Sequence, residues 1–134
     1  MVQRFDVGAR LSEMAVHNGV AYLAGQVAAD GSQDIAGQTT QVLAQIDALL
    51  ARAGTDKSKI LMCQIFIADL ADFPGMNAVW EQWVSAGNAP PRATVEALHG
   101  EFLRDYADFL RDAESEQSRS VSGRRYMMSM RFRG

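Results

Sequence analysis

The sequence predicts an α+β domain in which a mixed sheet carries two helices packed on one face. Three observations point there. Asn18-Gly19 lies between two short strand-like runs, the pattern of a tight hairpin. Two segments, about 34–53 and 72–84, each carry a single apolar stripe at helical spacing. Between them, Ile60 to Ala68 reads ILMCQIFIA, nearly continuous in apolar residues. One-faced helices and apolar strands are stable only when they share a core.

At 134 residues one domain is expected, and such a chain buries about two-thirds of the surface it exposes when unfolded. It is 48% hydrophobic and 22% charged, as ordinary globular proteins are. The single cysteine, Cys63, excludes an intrachain disulfide. No apolar run reaches transmembrane length, and Met1–Arg10 lacks the apolar stretch of a secretory signal, so no membrane partner and a cytoplasmic location are expected. A net charge of −3 argues against nucleic acid as the partner of the whole domain.

A first strand precedes the hairpin. A type I′ turn at Asn18-Gly19 sets His17 opposite Val20 and Ala15 opposite Tyr22, with Met14, Val16, Ala21 and Leu23 on the other face. Asp30-Gly31-Ser32 marks a second turn. The first helix runs from about Asp34 to Ala53, with Thr39, Val42, Ile46, Leu49 and Leu50 on its stripe. Asp34 is its expected N-cap and Gly54 the glycine beyond its end, while Gly37 weakens its first turn. Ile60–Ala68 is expected as a strand buried on both faces. The second helix has Asp72 as cap, Pro74 in its first turn and Phe73, Met76, Trp80, Trp83 and Val84 as its stripe. After Asn88-Ala89-Pro90-Pro91, Arg92–Leu98 reads as a strand, with Arg92, Thr94 and Glu96 pointing one way.

Two helices cannot cover both faces of Ile60–Ala68. Self-association, sheet face to sheet face, is the economical solution. The chain divides in composition at about residue 98. Residues 100–134 hold 7 of the 13 basic residues, all arginine, and 6 of the 16 acids. Residues 99–134 are expected to form a short helix at Phe102–Leu110, a polar linker at Ala113–Gly123 and a final strand at Tyr126–Phe132.

Phosphate-binding glycine loops, nucleophile elbows and zinc-binding motifs are absent from the sequence. The two histidines, His17 and His99, with one cysteine offer no metal-site spacing, so no metal is expected. Cys63, inside an apolar strand, reads as an inert small hydrophobe. Trp80 and Trp83 read as core or interface. Arg92 stands out: it opens a strand straight after a rigid Pro-Pro lead-in, where its fork fits a carboxylate through two parallel hydrogen bonds. The competing reading is structural, a strand-end arginine or a partner of Glu96. Asn77 is a polar residue beside an apolar stripe. At Gly25-Gln26, glycine allows close backbone approach to a ligand.

Taken in order, these segments resemble the RidA family, also called YjgF or L-PSP. The resemblance is carried by Asn18-Gly19 with Tyr22–Val27, by Gln38-Thr39 through Gln45-Ile46-Asp47, and by Ala53-Gly54 with Lys59-Ile60. It continues in Asp69–Phe73 with Met76–Trp80 and ends in Pro90–Glu96. It spans about Arg10 to Ala97. It implies a chorismate-mutase-like α+β subunit, a homotrimer with ligand clefts between subunits, and no metal or organic cofactor. The implied activity is hydrolytic deamination of reactive enamines and imines, such as 2-aminoacrylate, to 2-keto acids and ammonia. The implied ligand is a small 2-imino or 2-keto carboxylate held by Arg92, oriented by backbone near Gly25 and Thr94, in a cleft lined by Asn77.

The sequence also departs from the pattern. Leu11 stands where active members have tyrosine, Ala24 where they have serine, and Thr94 where they often have cysteine. The family's last strand carries an acid that positions the attacking water. Tyr126–Phe132 contains no Asp or Glu, and Glu101 is the nearest acid in sequence after Ala97. The alternative is therefore a non-catalytic trimer that binds small carboxylates or serves as an interaction module. An RNA-directed activity rests only on the arginines of 119–133, a weak basic footprint.

Overall fold

The computed structural model describes residues 1–97 and the strand at residues 126–133. Strands β1 (Gln3–Phe5), β2 (Met14–His17) and β3 (Val20–Leu23) form an antiparallel meander. Asn18 and Gly19 have φ of 49° and 74°, the two positive values a type I′ turn needs. The turn sets the register His17↔Val20 and Ala15↔Tyr22. Met14, Ala21 and Leu23 are thereby buried, and His17 stays exposed.

Helix α1 spans Ile35–Arg52, and the Asp34 side chain accepts from the Gly37 amide at 2.8 Å. Its face of Val42, Leu43, Ile46 and Leu50 is fully buried. Gly37 does more than weaken the first turn: a Cβ there would lie 2.8 Å from Gln33 Cβ, too close for any side chain.

Helix α2 spans Phe73–Trp83, with Pro74 in its first turn. Here the expected cap differs. Asp72 makes no side-chain cap hydrogen bond and has a helical backbone, φ −83° and ψ −7°. The reason is a 3₁₀ turn, Leu70–Asp72, running directly into α2. Asp69 caps that turn instead, accepting from the Ala71 amide at 2.9 Å. Met76 and Trp80 are the buried residues of α2.

Strand β4 (Ile60–Ile67) ends one residue before Ala68 and is not buried on both faces within the subunit. Cys63, Ile65 and Ile67 face the helices and are buried. Leu61 and Met62 are 44% and 45% exposed, and Phe66 is half-buried. The ladder shifts register between Ile60 and Met62, and this bulge lets Ile60 and Cys63, three apart, both face inward.

Strand β5 (Arg92–Glu96) runs parallel to β4 at the sheet edge. Strand β6 (Tyr126–Arg133) forms where a final strand was expected, and it is central: the order is β1-β2-β3-β6-β4-β5. It pairs antiparallel with β3 on one side and β4 on the other. The sheet is therefore mixed, and both helices share one core with its inner face. The helix expected at Phe102–Leu110 and the linker at Ala113–Gly123 lie outside the described residues. No helix among the described residues is long and apolar enough to cross a membrane.

Candidate functional site

The candidate site forms where the sheet edge meets α2. Pro91 accepts from the Cys63 amide at 3.0 Å, which fixes the lead-in to β5. Arg92 then pairs in register with Cys63, and Thr94 with Ile65. Cys63 and Ile65 face the helices, so Arg92 and Thr94 face them too. The Arg92 guanidinium carbon sits 5.1 Å from the Trp80 ring centroid and 5.8 Å from that of Phe73.

Asn77 lies between those two aromatic residues on α2. At 100° per residue, Phe73, Asn77 and Trp80 fall within an arc of about 60° on the helix surface. The face that meets Arg92 is therefore the face that carries Asn77. Arg92 Nη1, Asn77 Oδ1 and Thr94 Oγ1 are all buried and have no hydrogen-bond partner among the described residues. A buried polar atom without a partner costs about 1–3 kcal/mol. All three belong to the two elements that meet here, β5 and α2, and two of them, Arg92 Nη1 and Thr94 Oγ1, can donate to a carboxylate.

The structural reading of Arg92 as a partner of Glu96 does not hold. Arg92 makes no ion pair among the described residues, and Glu96 Oε1 accepts from the Leu70 amide at 3.0 Å. Cys63 is fully buried, and burial pushes its thiol from 9.0 up to about 12 against the opposing charge of Arg92. It is not a nucleophile at neutral pH.

Gly25 is not brought to this group within one subunit. It follows β3, and β6 and β4 lie between β3 and β5. Three inter-strand spacings amount to about 14 Å. Beside Gly25, the buried Gln26 donates to Glu13 Oε2 at 3.2 Å and to the Ala24 carbonyl at 3.1 Å. Among the described residues, no three His, Cys, Asp or Glu side chains are grouped to hold a metal ion. His99 and Glu101 lie outside the described residues.

The sequence reading missed the involvement of Phe73 and Trp80. Their spacing around Asn77 was the available signal, but stripe residues of a helix are ordinarily core, and nothing in spacing shows which cation rests on them.

The profile of the family described as Endoribonuclease L-PSP matches residues 1–100. A RutC family protein of Haemophilus ducreyi is 53% identical over 97 residues, which cover 72% of this chain and 83% of that protein. Among solved structures, an uncharacterized protein from Pseudomonas aeruginosa is 35% identical with a TM-score of 0.78, covering 99% of this chain and 98% of that one. NMB1025 of Neisseria meningitidis, a member of the YjgF protein family, is 32% identical with a TM-score of 0.78, covering 99% and 94%.

Proposed function

The chain belongs to the L-PSP family, also called YjgF or RidA, and on that premise we propose that it binds a small 2-imino or 2-keto carboxylate through Arg92 and hydrolyses enamines and imines of the 2-aminoacrylate type to 2-keto acids and ammonia. One observation carries the reading: Arg92 Nη1, Thr94 Oγ1 and Asn77 Oδ1 are buried with no hydrogen-bond partner among the described residues. A guanidinium without a carboxylate among the described residues suits a carboxylate supplied by a ligand.

The roles follow from donor and acceptor type. Arg92 grips the substrate carboxylate in its fork, and the Thr94 hydroxyl donates to the same group. Asn77 Oδ1 accepts from the substrate nitrogen. The enamine gains a proton at its methylene carbon and loses one from nitrogen, giving the imine. Water then adds to the imine carbon: its oxygen bonds to carbon and its proton goes to nitrogen. The hydroxyl proton of the carbinolamine then passes to nitrogen as the C–N bond breaks and the C=O bond forms, so that ammonia departs. No cofactor takes part.

A homotrimer in the cytoplasm is part of this reading. Tyr22, Met62 and Val95 are 45%, 45% and 42% exposed on the sheet face away from the helices. Copies packing on that face cover it, and they bring one subunit's Gly25 to another's Arg92. Light scattering reads the mass directly, and a monomer at tens of micromolar overturns the shared cleft.

A second reading is favoured by a specific feature of β6. Its sequence, YMMSMRFR, contains no Asp or Glu to activate water. A non-catalytic carboxylate-binding trimer needs none. The deciding experiment generates 2-aminoacrylate in place, traps it with semicarbazide and follows pyruvate. Faster pyruvate formation that is lost in Arg92→Ala supports the deaminase. Pyruvate binding without acceleration supports the binder.

A further inference from the structure

We infer that Phe73 and Trp80 are positioning residues, whose ring faces hold the Arg92 guanidinium in place of a counter-ion and leave its N–H edge free for a ligand carboxylate. The inference rests on the carboxylate-binding role proposed for Arg92.

The guanidinium carbon lies over both rings, at 5.1 Å from Trp80 and 5.8 Å from Phe73. The two rings come from one helix face, and the arginine comes from the strand that face covers. An arginine removed from water ordinarily takes a carboxylate. Arg92 has none among the described residues. A fold carboxylate would occupy the N–H groups, so a substrate would have to break that ion pair before binding. An aromatic ring instead attracts the cation through its π-face. The five N–H donors radiate in the guanidinium plane, so stacking and carboxylate binding use different sides of one group.

The wall behind Trp80 is itself held. The Trp83 ring lies 5.4 Å from Trp80 at an interplanar angle of 49°. Trp83 Nε1 donates to Asp47 Oδ2 on α1 at 2.8 Å. Lys57 Nζ sits 5.2 Å from the Trp83 ring centroid. Asp47, Trp83 and Trp80 thus transmit the placement of α1 to the ring on which Arg92 rests.

The test separates ring electrostatics from ring shape. The chain has two tryptophans, Trp80 and Trp83. Site-specific incorporation of mono-, di- and trifluorotryptophan at position 80 alone therefore alters the Trp80 ring and leaves Trp83 and its bond to Asp47 in place. Fluorine withdraws charge from the ring face with little change of volume. Pyruvate affinity, measured by titration calorimetry, should fall stepwise with fluorine count, by about two- to fivefold across the series, at a constant melting temperature. In the otherwise native chain, Trp80→Phe should retain more affinity than Trp80→Leu, and Phe73→Leu should weaken binding as well. A flat fluorine series, with binding still lost in Arg92→Ala, overturns the positioning role and leaves the carboxylate site standing. Pyruvate affinity indifferent to Arg92→Ala overturns both.

Discussion

Cys63 and Arg92 are register partners across the parallel β4–β5 pair, which sets a fully buried thiol beside a guanidinium with no carboxylate partner in the described fold. The two effects on the thiol oppose each other. Loss of water disfavours the thiolate and the nearby positive charge favours it, and burial wins, pushing the group up to about 12. The sign of the pH effect follows. An unfolded chain releases this proton near 9, and the folded chain keeps it to about 12. Stability from this residue is complete below 9 and declines above it, at up to about 1.4 kcal/mol per pH unit. Chemical denaturation from pH 8 to 10.5 should show a steeper alkaline loss in the native chain than in Cys63→Ala. Parallel slopes would contradict the buried thiol. Iodoacetamide at pH 8 should modify Cys63 only after denaturation.

Arg92 is expected to bind through geometry as well as charge. Arg92→Lys keeps the charge and loses the fork, so pyruvate should bind more weakly; Arg92→Ala should do worse. A charge-assisted contact of this kind contributes about 1.5–3 kcal/mol, or roughly ten- to hundredfold in affinity. Calorimetric titration checks both variants. Equal affinity in native protein and Arg92→Ala would return the residue to a structural role.

The helix layer is packed at one point with no space to spare. A Cβ on Gly75 of α2 would lie 2.6 Å from Ile35 Cγ2 of α1. Ile35 is β-branched and stiff at χ1, so α2 rather than the side chain must move. Gly75→Ala should cost about 1–3 kcal/mol, read as a lower denaturation midpoint at unchanged slope. Because α2 also carries Phe73, Asn77 and Trp80, pyruvate affinity should fall with it. Ile35→Ala removes the offending methyl and should recover most of the loss in the double variant.

How much of this was legible in the residues depended on whether the signal was local. The hairpin register at His17↔Val20 follows from two turn residues, because only positive φ at both positions joins two twisted strands so tightly. The Asp34 cap and the shared face of Arg92 and Thr94 are equally local. The Asp72 cap failed because a 3₁₀ turn precedes α2, and Asp69 serves that turn. Within one subunit only the helix-side face of β4 is buried, because apolar content does not say whether the second face is covered by the same chain or by another copy. The cradle of Phe73 and Trp80 was invisible because it joins a helix to a strand beginning about a dozen residues later. Gly25 and Arg92 could be named together only through family resemblance, since the sheet separates them.

The final prediction concerns β6, which links the two halves of the sheet. Its register joins Tyr22 to Arg131 on one side and Met62 to the same Arg131 on the other. Removing residues 124–134 leaves β1-β2-β3 and β4-β5 as separate pieces, each with a new unpaired edge. Every backbone bond lost from the ladder subtracts about 0.5–1.5 kcal/mol. A strand bonded on both sides therefore accounts for a large part of a typical stability of roughly 5–15 kcal/mol. The truncated chain should aggregate or lose its cooperative melt. In the intact protein, trypsin should cut slowly after Arg131, because its backbone is held on both sides and a protease needs an extended, unpaired segment. Mass spectrometry of a timed digest reads this directly. Prompt release of Phe132-Arg133, with an unchanged melt after truncation, would remove β6 from the sheet. The Arg92 site would then keep its cradle, because Phe73, Trp80 and β5 do not depend on β6 for their contacts with one another. In that outcome pyruvate titration of the soluble truncated chain should still show binding, whereas a chain that aggregates on truncation bears out the central place of β6.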